Sequence, residues 1–241
     1  MSGHSKWNNI KHKKEKSDAA KAKIFTKIGK EMAVAIKAGG PDPSVNSKLR
    51  DLIAKAKANN VPNENIQRTI KKFTDNSDIN YEEIIYEGYG PSGVAIIVET
   101  STDNRNRTAG NVRAWFNKYG GNMGQSGSVG YLFEEKGVIT IVDEDEEIEE
   151  DKIMEDALEC GAEDIKCDEG EYTIYTAVSD IDAVRDAIIS LGYKIDTADV
   201  AKVPTTYVEL TNEEDIENME KMLDKFNEDE DVTAVFTNWD N

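Results

Sequence analysis

The residues equipped for chemistry gather at the front of the chain. Lys6-Trp7-Asn8-Asn9-Ile10-Lys11-His12-Lys13-Lys14 sets four lysines and a histidine around an indole and two carboxamides, and Lys16 follows. Lysine neutralises phosphate and releases its counterions, an indole stacks on a base or a sugar, and asparagine hydrogen-bonds to base edges or phosphate oxygens. The segment predicts a nucleic-acid contact arm built from Lys6, Trp7, Lys11, His12, Lys13, Lys14 and Lys16. The alternative is a solvated terminus whose lysines serve solubility alone. Against that alternative stand further cations downstream: Lys23, Lys27, Lys30 and Lys37 fall within ~80° of one another on a helical wheel. Later, Asp103-Asn104-Arg105-Asn106-Arg107-Thr108 stands where a loop enters a helix, so free backbone N–H groups with Arg105 and Arg107 can hold a phosphate. The plainer reading of that run is a capped helix start with solvated arginines, and the spacing leaves both open.

Other chemistries lack their residues. His4 and His12 are the only histidines, with no cysteine or carboxylate pair beside them, so neither a metal site nor a catalytic base is expected. Residues 120–130 carry five glycines around Asn122, Met123, Gln125, Ser126 and Ser128, yet no GxxxxGK[ST] or GxSxG motif occurs and no GxGxxG opens a helix. A flexible recognition loop or a strand bulge is the reading. Eight acids in the nine residues 143–151 lack EF-hand spacing and read as a solvated linker, or as an acidic surface that repels phosphate or attracts a basic partner. Cys160 and Cys167 make neither a disulfide framework nor a CxxC pair. No cofactor, no metal and no enzyme activity are expected.

A net charge of −19 argues against a polyanionic partner only as an average. Residues 1–74 hold 17 Lys and Arg against 6 Asp and Glu, a net of +11; residues 75–241 hold 12 against 42, a net of −30. A basic head on an acidic body implies two separate electrostatic tasks. The 241 residues, 38% of them apolar, can bury real cores, and three Trp, nine Tyr and six Phe argue against a wholly disordered chain. The longest strongly apolar run, 94–98, is far short of the roughly 20 residues a membrane span needs, and the lysine-rich start has no apolar signal region. A cytoplasmic protein without membrane contact is expected.

Positioning these groups requires a small helical unit followed by mixed structure. Ile24, Ile28, Met32 and Ile36 recur every four residues, which predicts a helix over 18–38 with lysines on the opposite side. Helices follow at 47–59 and from Pro62, where Ile66, Ile70 and Phe73 face inward, closing a three-helix bundle. Strands at 81–88 and 94–99 join through Gly90-Pro91-Ser92-Gly93; a helix capped by Asp103 ends at Gly120-Gly121, and a strand near 129–134 follows. The order β-α-β-β-α-β from 138 to 202, with Ser179 and Asp182 at capping-box spacing, is that of a ferredoxin-like split βαβ fold. A strand at 207–210, a helix with a Thr211/Glu214 capping box and a strand at 232–237 can complete the unfinished first sheet. The prediction is an α+β protein: a basic helical nucleic-acid-binding domain over 1–75, a discontinuous α+β domain over 80–136 plus 204–241, and an inserted ferredoxin-like domain over 137–203. Both sheet domains are expected to be α/β sandwiches of ferredoxin-like type.

Met1-Ser-Gly-His-Ser-Lys-Trp-Asn-Asn-Ile-Lys-His-Lys-Lys, Lys23-Ile-Phe-Thr-Lys27, Tyr86-Glu-Gly-Tyr-Gly-Pro-Ser-Gly-Val94, Thr102-Asp-Asn-Arg-Asn-Arg-Thr108 and Gly120-Gly-Asn-Met-Gly-Gln-Ser-Gly-Ser-Val129 together resemble the YebC/PmpR family, in order and spacing along essentially the whole chain. The resemblance implies three α+β domains with a helical N-terminal one, and a DNA-binding transcriptional regulator. Mitochondrial relatives are similar to translational activators, and bacterial ones have been tied to the ribosome. Ser2 and Asn8 stand where Ala is common, and Phe73 follows Lys71-Lys72 where Gly is frequent; none of these removes a cation from the arm. Two targets therefore follow as expectations: double-stranded DNA, or structured ribosomal RNA on the ribosome, with the protein a monomer or weak homodimer. A third reading, an adaptor whose acidic body recruits a basic partner, needs no nucleic acid.

Overall fold

The computed structural model describes residues 18–75, 80–143, 148–168 and 170–240. The arm over 1–17, which holds Lys6, Trp7, Lys11, His12, Lys13, Lys14 and Lys16, lies outside the described residues. Two compact units emerge, one of residues 18–130 with 210–237 and the other of 131–209 with 238–240. The helical segment and the first sheet thus share one unit.

That unit begins with three helices, α1 (Asp18–Gly39), α2 (Ser47–Ala58) and α3 (Asn63–Asp75). Ile28, Met32, Ala35 and Ile36 of α1 meet Leu49, Leu52 and Ala56 of α2 and Ile66 of α3 in one core. Asn46 sets the turn between the first two. Its Oδ1 accepts from Leu49 N at 3.1 Å, capping α2, while Nδ2 donates to Ala35 O and Gly40 O at 2.8 and 2.7 Å. A Cβ on Gly39 would come 2.8 Å from that Nδ2, so glycine is required there for the close approach.

The chain continues through β1 (Glu82–Tyr89), β2 (Ala95–Thr102), α4 (Arg105–Lys118) and β3 (Asn122–Met123). The second unit contributes β4 (Phe133–Val142), α5 (Glu150–Glu159), β5 (Asp164–Asp168), β6 (Glu171–Thr176), α6 (Ile181–Ser190), β7 (Thr197–Pro204) and β8 (Val208–Glu209). The chain then returns as α7 (Glu213–Glu228) and β9 (Val232–Thr237), and ends in β10 (Trp239–Asp240).

In the first unit the sheet order is β3-β1-β2-β9 with antiparallel neighbours. Ala95, Ile96, Ile97 and Val98 of β2 are buried in succession, the mark of a strand covered on both faces. Helices α4 and α7 meet through Phe226, whose ring centroid lies 5.9 Å from that of Trp115 and 5.2 Å from that of Phe116. The second unit has the order β5-β6-β4-β7, all neighbours antiparallel, which is the split βαβ arrangement. Its core joins Ile139, Ile141, Ile165 and Ile174 of the sheet to Ile153, Ala157, Val184 and Ile188 of α5 and α6.

Three local expectations change. Of the strand expected at 129–134 only residues 133 and 134 are extended, as the start of β4, which runs unbroken from 133 to 142 in the second unit, while Gly130–Leu132 form a 3-10 turn. Gly137 marks no boundary; it lies where β4 is crowded by Thr176 and Ile181, and a Cβ there would stand 2.8 Å from Ile181 Cβ. The strand expected at 207–210 does not enter the first sheet but pairs in parallel with β10, Val208 opposite Trp239. Only β9 of the two tail strands completes that sheet, so its order differs from the ferredoxin-like one. Among the described residues no helix is long and apolar enough to cross a membrane.

Candidate nucleic-acid interface

The cations singled out from the sequence divide into two groups. Lys23, Lys37 and Arg105 are exposed. Lys37 also donates to Asn80 Oδ1. Arg107, although its side chain is 47% exposed, pairs with Asp103 and Asp231, and Lys27 and Lys30 are partly buried and bind within the chain, which corrects the expectation that α1 turns an open cationic face to solvent. Lys27 Nζ donates to Asn227 O at 2.9 Å, and Lys30 Nζ donates to Glu230 O at 2.9 Å and to Asp231 Oδ1 at 2.7 Å. The second face of α1 packs against the acidic end of α7 and the turn into β9. A helical wheel sorts polar from apolar positions, but it cannot distinguish water from a carboxylate as the partner of a lysine.

Asp231 organises that seam. Its Oδ2 accepts from Arg107 Nη2 at 2.6 Å and Nε at 3.2 Å, from Thr108 Oγ1 at 2.8 Å and from Thr102 Oγ1 at 3.2 Å. Its backbone oxygen receives Ser101 N at 2.8 Å. One buried carboxylate thus joins α1, the end of β2 and the first turn of α4. Burial pushes its pKa up, but hydrogen bonds from Lys30, Arg107 and Thr108 outweigh burial and hold it at about 2. The same bonds, first from Asp231 and then from Asp103, raise the pKa of Arg107.

The Asp-Asn-Arg-Asn-Arg-Thr run therefore takes its plainer reading at Arg107. Asn104, not Asp103, caps α4, its Oδ1 accepting from Arg107 N at 3.0 Å, while Asp103 accepts from the Arg107 guanidinium at 2.9 Å. A cleft beside this seam is lined by Lys30, Arg107, Lys118 and Lys225, but also by Asp103, Glu228, Asp229, Glu230 and Asp231. With four cations against five carboxylates it is an ion-paired seam and not a cradle for a polyanion.

The glycine-rich loop is likewise occupied. The Glu87 carboxylate accepts from Gly127 N at 2.8 Å through Oε1, and from Val129 N at 2.8 Å and Gly130 N at 2.7 Å through Oε2. Gly124 N donates to Glu87 O at 2.8 Å, and the Tyr89 hydroxyl to Ser128 O at 3.1 Å. The loop wraps an anion, as backbone nests do, but that anion belongs to β1. The expected flexible loop is a pinned one; an acid inside an alternating strand gives no such signal beforehand.

Exposed cations that the sequence pattern does not single out as contacts include Arg50 and Lys57 on α2, Lys71 and Lys72 on α3 and Arg113 on α4. Among the described residues no group of three or more His, Cys, Asp or Glu side chains is placed to hold a metal ion. Burial, followed by nearby carboxylates, pushes both thiols up, away from the thiolate form a nucleophile needs.

Known proteins match this chain over nearly its whole length. A model described as the TACO1/YebC protein N-terminal domain matches residues 5–76, and one described as the TACO1/YebC second and third domain matches residues 81–239. A protein of Acetivibrio thermocellus named "probable transcriptional regulatory protein" is 53% identical over 240 residues, covering 99% of both chains. One of the same name from Agathobacter rectalis is 54% identical over the full length of both. The crystal structure of a conserved hypothetical protein from Aquifex aeolicus superposes with a TM-score of 0.82 at 42% identity, covering 92% of this chain and 91% of that one. With both models matched in order, each over the segment whose architecture it describes, this chain belongs to the TACO1/YebC family.

Proposed function

We propose that this protein is a nucleic-acid-binding regulator of gene expression that acts on duplex DNA by binding and not by catalysis. The observation that carries the reading is the division of charge, a net of +11 over residues 1–74 against −30 over 75–241. The names of its relatives support it. With Lys27, Lys30 and Arg107 engaged inside the chain, the phosphate contacts fall to Lys6, Lys11, Lys13, Lys14, Lys16 and Lys23, with Trp7 stacking and His12 beside them. The acidic body then repels phosphate and confines the duplex to the cationic surface.

Titrating labelled duplex DNA across a range of salt concentrations tests this. Six neutralised phosphates give a slope of log K against log salt of about −5. Replacing Lys11, Lys13 and Lys14 together with glutamate abolishes binding and leaves the unfolding transition where it was. A flat salt profile, or a triple variant that binds like the parent, refutes the assignment.

A further inference from the structure

From Asn104 to Phe133, thirty consecutive residues contain no aspartate or glutamate and four cations. They interrupt a stretch, 75–241, in which 42 of 167 residues are acidic. Helix α4 fills the first half of this interval. Thr108, Val112 and Phe116 face its core. A second side turns to α7, where Asn111 Nδ2 donates to Asp229 Oδ2 at 3.2 Å and Trp115 meets Phe226. On the remaining side Asn106, Gly110, Arg113 and Asn117 are all exposed. At 100° per residue they fall within an arc of about 60°, turned away from the acidic helix α7.

Two features of this face have no use inside the fold. Arg113, and Arg105 in the first turn, make no ion pair among the described residues, whereas Arg107 on the α7 side has two. Gly110 sits in the helix interior without a left-handed φ, and a Cβ placed on it meets nothing within 4 Å. Glycine weakens a helix, and packing does not require it here. A partner that approaches the helix backbone closely is the remaining use for it.

The side chains identify that partner. Guanidinium pairs bidentately with the O6 and N7 of guanine, and a carboxamide with the N6 and N7 of adenine. Asn106 to Asn117 spans about 16 Å along the helix axis, roughly five base-pair steps. The B-form major groove admits an α-helix, and the deep, narrow A-form groove does not. We propose that α4 enters the major groove of duplex DNA with this face, Arg113, Asn106 and Asn117 contacting base edges and Arg105 a phosphate. The proposal rests on the duplex-DNA reading above and adds to it a sequence-reading element distinct from the cationic head.

The test uses the full-length protein and a pool of short duplexes with randomised centres. The parent protein enriches particular sequences. R105Q/R113Q binds them roughly 10- to 100-fold more weakly, with a salt slope shallower by about 1 for the lost phosphate contact of Arg105. N106A/N117A keeps its affinity for unselected duplex but loses the preference. All four positions are exposed, so both variants unfold at the parent midpoint. If the parent binds duplex but enriches nothing, or R105Q/R113Q matches it in affinity and slope, α4 does not read DNA and only this inference fails. A parent that binds no duplex, or whose K11E/K13E/K14E variant binds undiminished, fails the reading above instead. If the α4 variants lose binding to a structured RNA hairpin and not to duplex DNA, the assignment to DNA is wrong.

Discussion

Lys30 and Asp231 are 201 residues apart in the chain, yet the ammonium of one lies 2.7 Å from the carboxylate of the other. Their side chains retain only 11% and 5% of their exposure. This is a partly desolvated ion pair that closes the loop between the first helix and the last long strand. Its attraction offsets desolvation because Arg107, Thr102 and Thr108 complete the coordination of the carboxylate. Asp231→Asn leaves the buried ammonium of Lys30 without its counter-charge and Arg107 with Asp103 alone, and a loss of about 3 kcal/mol is expected in urea unfolding at neutral pH. Adding Lys30→Met costs less than the sum of the two single changes.

The same carboxylate predicts an acid limb. Its folded pKa is about 2 against an ordinary 3.8, so folding favours the charged form. The stabilisation is fully present above about pH 4 and disappears as pH falls toward 2, up to about 2 kcal/mol in all. Unfolding free energy measured between pH 5 and 2 falls less steeply in Asp231→Asn than in the parent. Parallel curves would show that the ion pair does not contribute.

Glu87 answers three backbone donors with two oxygens, and glutamine offers only one. Glu87→Gln therefore strips an acceptor from at least one of Gly127, Val129 and Gly130, at a cost of about 1 to 3 kcal/mol to the loop. Amide hydrogen exchange reports it residue by residue. Those three positions exchange faster, while Ile139 and Ile174 in the other unit keep their protection.

What the sequence made legible follows from local periodicity. Ile28, Met32 and Ile36 of the four-residue repeat are buried in α1, and the alternating strands after 137 assemble in the expected split βαβ order. Caps were readable only to within one residue. Asn104 serves in place of Asp103 and Asn212 in place of Thr211, because adjacent short polar residues compete for the same role and the entering chain decides, while Asp180 takes the N-cap position of α6 with no side-chain cap bond. Long-range partners were not readable. Nothing local to Lys30 or Arg107 distinguishes a phosphate-binding cation from one held by Asp231, and nothing around Glu87 foretells a loop folded over it. The acid-free interval at 104–133 was visible to a finer charge count than one division into head and body.

Gly110→Ala removes the backbone freedom of a glycine in a helix interior where the new methyl meets open space. A gain of about 0.5 to 1 kcal/mol follows, seen as a rise of about 2 to 4 °C in the unfolding midpoint. A fall would mean that the helix needs glycine for a reason internal to the fold, which would remove one support for the α4 surface.

At Gly137 the identical substitution has the opposite sign. This strand position is buried, and a Cβ there meets the Thr176 hydroxyl and stands 2.8 Å from Ile181 Cβ and 3.1 Å from its Cγ1. Neither neighbour can swing away, since Thr176 is fully buried with its hydroxyl donating to Ala177 O and the offending carbons of Ile181 lie close to its backbone. Overpacking of this kind costs about 1 to 3 kcal/mol. Trimming one neighbour tests the cause: Gly137→Ala with Thr176→Ala recovers part of the loss by removing the nearest contact, and adding Ile181→Ala recovers no more than its own cavity cost allows. Denaturant midpoints of the three proteins distinguish crowding from a conformational demand on the backbone, because a glycine needed for its dihedral angles would gain nothing from either trim.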